Sequence, residues 1–276
     1  MAVETTEIEL KGGTKKWKGR KYNLTFSDGN HQYRVKEVVK GVEQPGKGFP
    51  SVTSIVGMLE KGGLVNWAAR ITADYILKHL TMDDGTFKPG AENRIDGIFE
   101  KAKKEHKEEL ERAGRIGTLC HEGVENYLQT GKKLRKTKTR PAEAVNAFNN
   151  FVKWWENSIM GSEVHSTEQR IFHPEFGYTG TLDICATITP DVADLRYIID
   201  VKTSNGFYAP EMSMQLAAYA EAYELIEGVQ IDGIGIIRLD KVTGESYWKD
   251  YTAYRGKAWQ LFKTLLEAKK LLKGLK

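Results

Sequence analysis

The stretch "IIDVKTSNG", residues 198–206, decides how the rest of this sequence is interpreted. Its isoleucines and valine predict a buried β-strand. Asp200 and Lys202 interrupt the apolar run, and side chains two residues apart on a strand point to the same face. An acid and an amine side by side on a buried strand predict either an ion pair or a chemical site, because a buried charge is costly without a partner.

The whole chain has the composition of a soluble globular protein. It has 276 residues, of which 40% are hydrophobic and 28% are charged. No run of about 18 apolar residues occurs, so no membrane span and no membrane partner are expected. The first residues lack the apolar core of a secretion signal, and two cysteines, Cys120 and Cys185, are too few for a disulfide framework. We therefore expect a reducing, cytoplasmic compartment.

Positive charge is concentrated in two short runs although the net charge is only +4. Residues 132–140, "KKLRKTKTR", contain six basic side chains and no acid. Residues 11–22 form a second basic run that includes Trp17 and Tyr22. Such runs suit a polyanion, because cations near phosphates release bound counterions. A solvated loop and a flexible arm are the alternatives, and the sequence leaves both open.

The first part of the chain is predicted to combine a β-hairpin with several helices. An Asp-Gly turn separates two strand-like runs, residues 21–26 and 31–35. Residues 41–48 are predicted to form a loop, and Ser51 is a suitable N-cap for a helix over 50–60. Apolar side chains then recur with helical spacing. The helices predicted there are 64–80, 89–114 with an end near Gly114, 115–131 with an end at Gly131, and 141–159 with Pro141 in its first turn.

The second part of the chain is predicted to have the order β-β-β-α-β-β-α. We expect residues 1–160 to form a hairpin and a helical layer that packs on a core of residues 161–276, giving one compact unit. The predicted elements of that core are the strands 162–173, 177–189 and 195–204, the helix 209–226, the strands 231–240 and 245–252, and the helix 254–272.

A second acid, Asp183, also lies inside an apolar run, "TGTLDICAT". The two strands that carry Asp183 and Asp200 are consecutive, so a hairpin is expected to bring the two carboxylates together on one sheet face. Two carboxylates near an amine suit a hard divalent cation such as Mg²⁺, and the carbonyl of Val201 offers a further oxygen. An ion pair between Lys202 and either acid is the structural alternative.

Other polar residues could join this group. Gln215 and Tyr219 share one face of the following helix, and Glu168 lies within the preceding strand. His121 lies on an earlier helix, with Glu125 on the same face. His-Glu at 121–122 begins the metalloprotease pattern H-E-x-x-H, but the closing histidine is absent. Each of these residues is common in a structural role, so the hypothesis depends on their occurring together.

Together these residues resemble the RecB-like branch of the PD-(D/E)XK nuclease superfamily over residues 115–240. Residues 49–70 are in addition similar to the N-terminal segment of phage and mitochondrial genome maintenance exonucleases of that superfamily. The resemblance implies an α/β (α+β) fold with a restriction-endonuclease-like core, in which helices flank a mixed central sheet, and with a helical N-terminal layer. It is carried by "GT..H" at 117–121, by Glu168, by "GTLD" at 180–183, by "DVK" at 200–202 and by "Q...Y" at 215–219.

The resemblance also implies a role for each residue. Lys202 would orient or activate the attacking water and stabilise charge on the phosphate. Glu168 would be a further acid at the metal site, and Gln215 and Tyr219 would position Lys202 or contact the DNA backbone. The metal ligands would be His121, Asp183 and Asp200, with the carbonyl of Val201.

The implied activity is hydrolysis of DNA phosphodiester bonds with Mg²⁺ or Mn²⁺, because a bound metal activates water and shields phosphate charge. An exonuclease that acts on single-stranded DNA or DNA ends in recombination, repair or replication is expected, in a bacterium or in a virus within its host cell. A recombination or replication protein is a further expected partner. The alternatives are a catalytically inactive nucleic-acid-binding or recombination-partner module, and a structural ion-pair network.

The sequence departs from family patterns at two points. Leu182 precedes the first acid in place of the proline of the family pattern, a proline that is often absent from family members. Some relatives hold an iron–sulfur cluster through four cysteines, and two cysteines cannot form that site, so no cluster is expected. No Walker-type loop is present either, so no nucleotide cofactor and no built-in helicase motor are expected.

Overall fold

A computed structural model describes residues 4–27, 32–59, 62–158, 163–189 and 193–275. Within these ranges the protein contains two five-stranded sheets and six α-helices. The predicted mixed α/β class is therefore confirmed. The chain divides into two compact units, one formed by residues 1–58 and 120–276 and the other by residues 59–119. The expected layer of residues 1–160 on a core of residues 161–276 stays a prediction.

The N-terminal sheet contains the two strands predicted from the Asp-Gly turn, which pair antiparallel. The turn itself lies outside the described residues. The prediction of a loop over 41–48 was partly wrong, because two short strands occur there, and the first strand was missed. That first strand has few apolar residues and depends on backbone pairing with its neighbour. The strands are β1 (Glu4–Glu9), β2 (Lys21–Ser27), β3 (Gln32–Val39), β4 (Val42–Glu43) and β5 (Lys47–Phe49).

Four helices follow, and the first is shorter than predicted. Ser51 is its N-cap, as predicted, because the Ser51 hydroxyl accepts a hydrogen bond from the Ser54 N–H at 3.1 Å. No helix in the described part of the chain is both long and apolar enough to cross a membrane. The helices are α1 (Val52–Val56), α2 (Gly62–Leu80), α3 (Ile95–Thr130) and α4 (Ala142–Ser158).

Helix α3 replaces two predicted helices. It continues through Gly114, where an end was expected, and ends at Thr130. A glycine inside a helix costs only about 1 kcal/mol. The apolar period continues across it, since Ile116, Cys120 and Val124 are all buried. Gly131 has a φ of 71°, and its N–H donates to the carbonyl of Tyr127, so the predicted glycine end there is confirmed.

The unit of residues 59–119 has a small apolar cluster of its own. Leu80 at the end of α2, Ala91 in the following loop and Ile98 in the first turn of α3 are buried together. Tyr75 packs against this cluster, and its ring stacks on His79 with 4.0 Å between the ring centroids. A short 3₁₀ helix, residues Glu92–Arg94, leads into α3.

The second sheet has the predicted order of elements, β-β-β-α-β-β-α. Numbered along the chain, its five strands lie side by side in the order 5-4-3-2-1, and the third and fourth are parallel while the other pairs are antiparallel. A helix joins the two parallel strands, as such a connection requires. The elements are β6 (Glu163–His173), β7 (Tyr178–Ile188), β8 (Leu195–Lys202), α5 (Ala209–Glu227), β9 (Gly233–Leu239), β10 (Ser246–Asp250) and α6 (Arg255–Gly274), with a 3₁₀ helix at Thr252–Tyr254.

Helices cover both faces of this sheet. Helices α1, α5 and α6 contact one another, and α5 lies against β6, β8 and β9. On the opposite face, aromatic residues of α4 and the last turns of α3 pack on alternate residues of β7, β8 and β9. Ile184, Ile199 and Val201 belong to that core. Asp200 has the opposite parity, so its side chain points to the face covered by α5, where Gln215 contacts it.

Candidate metal centre and active site

The antiparallel pair β7–β8 brings the two predicted carboxylates together. Ile184 lies opposite Ile199, so the register places Asp183 beside Asp200. The backbone N–H of Val201 donates to Asp183 Oδ2 at 2.7 Å, which fixes the orientation of that carboxylate. The predicted hairpin geometry is confirmed, although residues 190–192 of its turn lie outside the described ranges.

Asp200 is the centre of a buried polar network. Lys202 Nζ lies 2.8 Å from Asp200 Oδ1 and 2.7 Å from Oδ2. Gln215 Nε2 donates to Asp200 Oδ1 at 2.9 Å and to the Tyr219 hydroxyl at 3.1 Å. The i, i+4 pair on α5 therefore points back over the carboxylates, as its spacing predicted. Both side chains orient Asp200, and through it Lys202.

Glu168 reaches the site through an unusual backbone conformation. It lies between Thr167, opposite Ile184, and Gln169, opposite Leu182, so it falls opposite Asp183. Its φ is +44°, a left-handed value that costs a non-glycine residue roughly 1 kcal/mol or more. This conformation interrupts the pleat of β6 and re-aims the carboxylate. Strain of this kind concentrates at functional sites.

His121 comes from α3 and completes a cluster with two of the acids. Its Nδ1 lies 3.4 Å from Glu168 Oε1 and 3.5 Å from Asp183 Oδ2. Its Nε2 donates to the carbonyl oxygen of Val201 at 2.9 Å. One donor atom each from His121, Glu168 and Asp183 lie within 4.8 Å of one another, so one ion could bridge all three.

The two remaining predicted ligands lie beside this cluster and have other partners. Asp200 is paired with Lys202 and Gln215, and the carbonyl of Val201 accepts the proton of His121. Direct binding of a metal by either group requires these contacts to rearrange. Their role as ligands stays a prediction.

The site is closed at one end and open at the other. The side chain of Asp200 is 1% exposed and that of Asp183 is 11% exposed. Glu168 and His121 are 32% and 27% exposed, and Lys202 is 26% exposed. Glu168, His121 and Lys202 are therefore accessible from solvent, whereas Asp200 is buried beneath Lys202.

The cluster strongly favours positive charge. Burial alone would lower the pKa of His121, but Asp183 and Glu168 outweigh it and raise the pKa to about 9. Burial raises the pKa of Asp183 above its ordinary value and raises that of Asp200 to about 6. The protonated imidazole of His121 thus offsets part of the negative charge of the acids. A divalent cation bound there would offset the same charge.

Lys202 is held in its charged form. Burial by itself lowers the pKa of an amine, but Asp200 and Asp183 outweigh burial and raise the pKa of Lys202. Of the two roles that the family resemblance implies for this residue, charge stabilisation agrees with an ammonium group. Removal of a proton from water requires a neutral amine, which this environment disfavours.

The chemistry of the donors suits a divalent cation. Carboxylates are hard oxygen ligands of the kind that Mg²⁺ and Mn²⁺ prefer, and an imidazole nitrogen is a common ligand of transition metals. His121, Glu168 and Asp183 are the residues that could hold such an ion.

Two predicted contributors lie elsewhere. Glu125 accepts a hydrogen bond from Gln129 at 3.1 Å and does not belong to the cluster. The basic run 132–140 follows α3 as an irregular and mostly exposed segment. Leu134 anchors it, because its side chain packs on the core between α3 and α4. The segment is therefore attached to the protein surface at Leu134.

The sequence did not reveal the roles of two residues near Tyr219, namely Gly180, which makes room for its ring, and Tyr33. A Cβ atom at Gly180 would lie only 2.7 Å from Tyr219 Cε1, so the ring requires glycine at that position. The hydroxyls of Tyr33 and Thr181 are 2.9 Å apart and join β3 to β7 near this ring. A glycine inside a predicted strand is a recognised sign of close approach, and Gly180 carried that signal. Nothing in the local sequence distinguishes Tyr33.

Comparison with known proteins adds no family assignment. A scan of the sequence against protein-family models finds no matching family, and a search of the curated proteins finds no match. The functional interpretation therefore depends on the residues of the site and on their geometry.

Proposed function

We propose that this protein is a metal-dependent DNA nuclease of the PD-(D/E)XK superfamily, from its RecB-like branch. The supporting observation is that His121, Glu168 and Asp183 lie within 4.8 Å of one another beside the charged Lys202. These residues come from α3, β6, β7 and β8, in the order in which the superfamily carries its catalytic residues. An exonuclease that acts on single-stranded DNA or DNA ends in recombination, repair or replication is the activity we infer.

The proposed cofactor is Mg²⁺ or Mn²⁺, held by His121, Glu168 and Asp183. When bound, such an ion lowers the pKa of water and withdraws charge from a phosphoryl oxygen. The protein's own contribution is to hold three donors in a partly open pocket. The Val201 N–H keeps one oxygen of Asp183 in place, and the left-handed backbone at Glu168 aims that carboxylate inward.

Lys202 has the role of a fixed cation at the mouth of the pocket. Its side chain is a quarter exposed, and Asp200 and Asp183 raise its pKa, so a charged ammonium group is available to a phosphate oxygen on which negative charge increases during the reaction. Asp200 and Gln215 hold the ammonium in place from the buried side. Tyr219 fixes Gln215 through its hydroxyl.

The fold around the site supports the same proposal. A mixed sheet with helices on both faces carries the site, and the ends of the parallel strands β8 and β9 lie next to it. Ligands of open α/β sheets bind outside the carboxyl ends of the strands, and Lys202 is the last residue of β8. The basic run 132–140 supplies exposed positive charge for a polyanionic substrate.

The test is cleavage of end-labelled single-stranded and double-stranded DNA by the purified protein with Mg²⁺, with Mn²⁺ or with EDTA. We expect cleavage that depends on the metal and that falls by at least a hundredfold in Lys202→Ala, since one preorganised charge is worth roughly 10²–10³ in rate. The ladder of products from each labelled end then gives the polarity.

A matched control is Lys153→Ala, which removes an exposed lysine from α4 and should cleave like the wild type. Binding of DNA without cleavage of any substrate, with every metal, would refute the nuclease and favour the inactive binding module. If Lys202→Ala chiefly loses stability while the wild type neither binds nor cleaves DNA, the polar network is structural.

A further inference from the structure

A basic loop between β1 and β2, residues 11–20, has a fixed backbone. The Leu10 N–H donates to the carbonyl of Arg20, and the Gly19 N–H donates to the carbonyl of Leu10. The Trp17 N–H closes a turn on the carbonyl of Thr14. Leu10 is fully buried and anchors the base of the loop. The loop is therefore a built surface feature, which excludes the flexible arm that the sequence left open.

The loop is attached to the C-terminal end of α5. The Lys11 N–H donates to the carbonyl of Ile226, and the Gly12 N–H donates to the carbonyl of Leu225, each at 2.9 Å. A Cβ atom at Gly12 would lie 2.5 Å from the carbonyl oxygen of Glu224, so this approach requires glycine. The attachment places the loop beside the helix that carries Gln215 and Tyr219.

Positive charge in the loop exceeds what the neighbouring acids compensate. Lys11, Arg20 and the adjoining Lys21 are paired with Glu227, Glu37 and Glu9, respectively. Three further lysines are exposed, and within the described part of the chain no carboxylate lies within 4 Å of them. These are Lys15, Lys16 and Lys18.

Trp17 lies among these cations with its ring partly exposed. Lys16 Nζ is 4.6 Å and Arg20 Cζ is 5.2 Å from the centroid of the ring. An aromatic ring flanked by cations is the pattern by which proteins bind single-stranded nucleic acid, since the ring stacks on a base and the cations contact phosphates. Bases within a duplex are stacked on one another and are not available to such a ring.

The loop is close to the candidate active site. The carboxylate of Glu227 pairs with Lys11 and also accepts a hydrogen bond from Gln169 Nε2 at 3.1 Å. Gln169 directly follows Glu168, one of the candidate metal ligands. Two side-chain contacts therefore connect the loop to the edge of the candidate metal centre.

We propose that residues 11–20 bind a single DNA strand a few nucleotides from the reacting phosphate, with Trp17 stacked on a base and Lys15, Lys16 and Lys18 on the backbone. The position relative to the reacting phosphate rests on the proposed nuclease function. The binding itself does not, and it can be measured without cleavage.

The experiment measures binding of a fluorescent oligothymidylate of about 15 nucleotides in EDTA, where the metal-dependent reaction is stopped. Trp17→Ala should weaken binding about tenfold, because one stacked base is lost, whereas Trp17→Phe keeps an aromatic ring and should recover most of the affinity. The triple variant Lys15→Gln/Lys16→Gln/Lys18→Gln should reduce the salt slope of log affinity by about 2, since each phosphate contact on a single strand contributes about 0.7.

The matched control is the triple variant Lys101→Gln/Lys104→Gln/Lys107→Gln on α3, which removes the same charge from exposed positions elsewhere. Wild-type affinity in Trp17→Ala, or equal salt slopes in the two triple variants, would overturn the inference. If the loop variants lost binding to phosphatidylserine vesicles but kept their binding to oligothymidylate, the loop would be a membrane-binding surface, and this would also overturn the inference.

A cleavage assay with Mn²⁺ separates this inference from the proposed function. Trp17→Ala should raise the KM of long strands and leave cleavage of trinucleotides, which are too short to reach the loop, unchanged. If the wild-type protein cleaves no substrate, the proposed nuclease function is refuted. The oligothymidylate binding measured in EDTA still decides the role of the loop. If Trp17→Ala and the wild type cleave long strands with equal KM, the binding role proposed for the loop is refuted and the proposed nuclease function is not.

Discussion

Asp200 and Lys202 have a structural role in addition to the chemical role proposed for them. Asp200 is almost fully buried, and its charge is balanced by Lys202 at 2.7 Å. Removing one partner of a buried ion pair leaves the other uncompensated and costs up to several kcal/mol. Variants of Lys202 will therefore lose stability whether or not the protein is an enzyme. Their cleavage rates are informative only below the temperature at which each variant begins to unfold.

His173 at the end of β6 makes the stability of the protein depend on pH. Its ring lies among aromatic side chains, 5.2 Å from Tyr178 and 6.2 Å from Trp259 between ring centroids. Within the described residues its Nδ1 is buried without a hydrogen-bond partner. Burial lowers the pKa of His173 to about 4, so the folded protein keeps the ring neutral.

We predict that His173 contributes stability that is present above pH 6.5 and is lost as the pH falls towards 4. Its pKa is depressed on folding, so in that window the unfolded chain takes up a proton that the native state does not. The free energy of unfolding should fall by about 3 kcal/mol over this range, because folding lowers the pKa of His173 from 6.5 to about 4.

Urea unfolding of the wild type and of His173→Phe at pH 7.5 and pH 4.5 measures this contribution. The variant keeps an aromatic ring in the cluster and should lose less stability on acidification, by an amount of that order. Parallel losses in the two proteins would contradict the assignment. Groups other than His173 titrate in both proteins, so their contribution cancels when the two losses of stability are subtracted.

At the scale of elements, the contact between β7 and α5 determines where the polar network forms. Gly180 lets the ring of Tyr219 lie directly against β7, and a Cβ atom at this position would also lie 3.3 Å from Cγ2 of Val52 in α1. The position of Tyr219 then determines where Gln215 holds Asp200. One glycine thus links the packing of a helix on a sheet to the orientation of Lys202.

We predict that Gly180→Ala lowers the free energy of unfolding by about 1–3 kcal/mol, because the added methyl group overlaps the Tyr219 ring. In a Tyr219→Ala background, where the ring is absent, the same substitution should cost much less. Thermal or urea unfolding of the wild type, the two single variants and the double variant measures the coupling between the two positions. Gly256→Ala on α6, where a Cβ atom meets no neighbour within 4 Å, is the control and should not destabilise the protein. An equal cost of Gly180→Ala in both backgrounds would exclude the steric explanation.

At the scale of the whole molecule, the candidate ligands are far apart along the chain. His121, Glu168 and Asp183 come from three different elements, and all lie in the unit of residues 1–58 and 120–276. The unfolded chain cannot present them together. A divalent ion that binds them therefore stabilises the folded state by mass action.

We predict that Mn²⁺ at about 100 times its dissociation constant raises the unfolding midpoint by several degrees, corresponding to about 2.7 kcal/mol. EDTA should reverse the shift. Asp183→Asn and His121→Ala should remove most of it, whereas Glu108→Gln, an exposed acid on α3, should retain it. Scanning calorimetry with and without metal measures the shift. A shift of the same size in Asp183→Asn would show that the ion binds elsewhere.

Local patterns in the sequence were sufficient for much of this structure. The alternation in residues 198–202 predicted a buried strand with Asp200 and Lys202 on one face, and the consecutive strands predicted that Asp183 lies beside them. The i, i+4 spacing of Gln215 and Tyr219 predicted their common direction. These predictions succeeded because strand alternation and helical period depend on neighbouring residues alone.

Other features could be decided only by the tertiary structure. The left-handed backbone at Glu168, the continuation of α3 through Gly114 and the attachment of residues 11–12 to α5 have no local signal strong enough to predict them. In each case a locally unfavourable or neutral conformation is stabilised by contacts with residues distant in sequence. Local sequence patterns thus identified the candidate residues of the site and the elements on which they lie. Long-range packing decided which of them meet, because the free energy of those contacts exceeds the local preferences of the backbone.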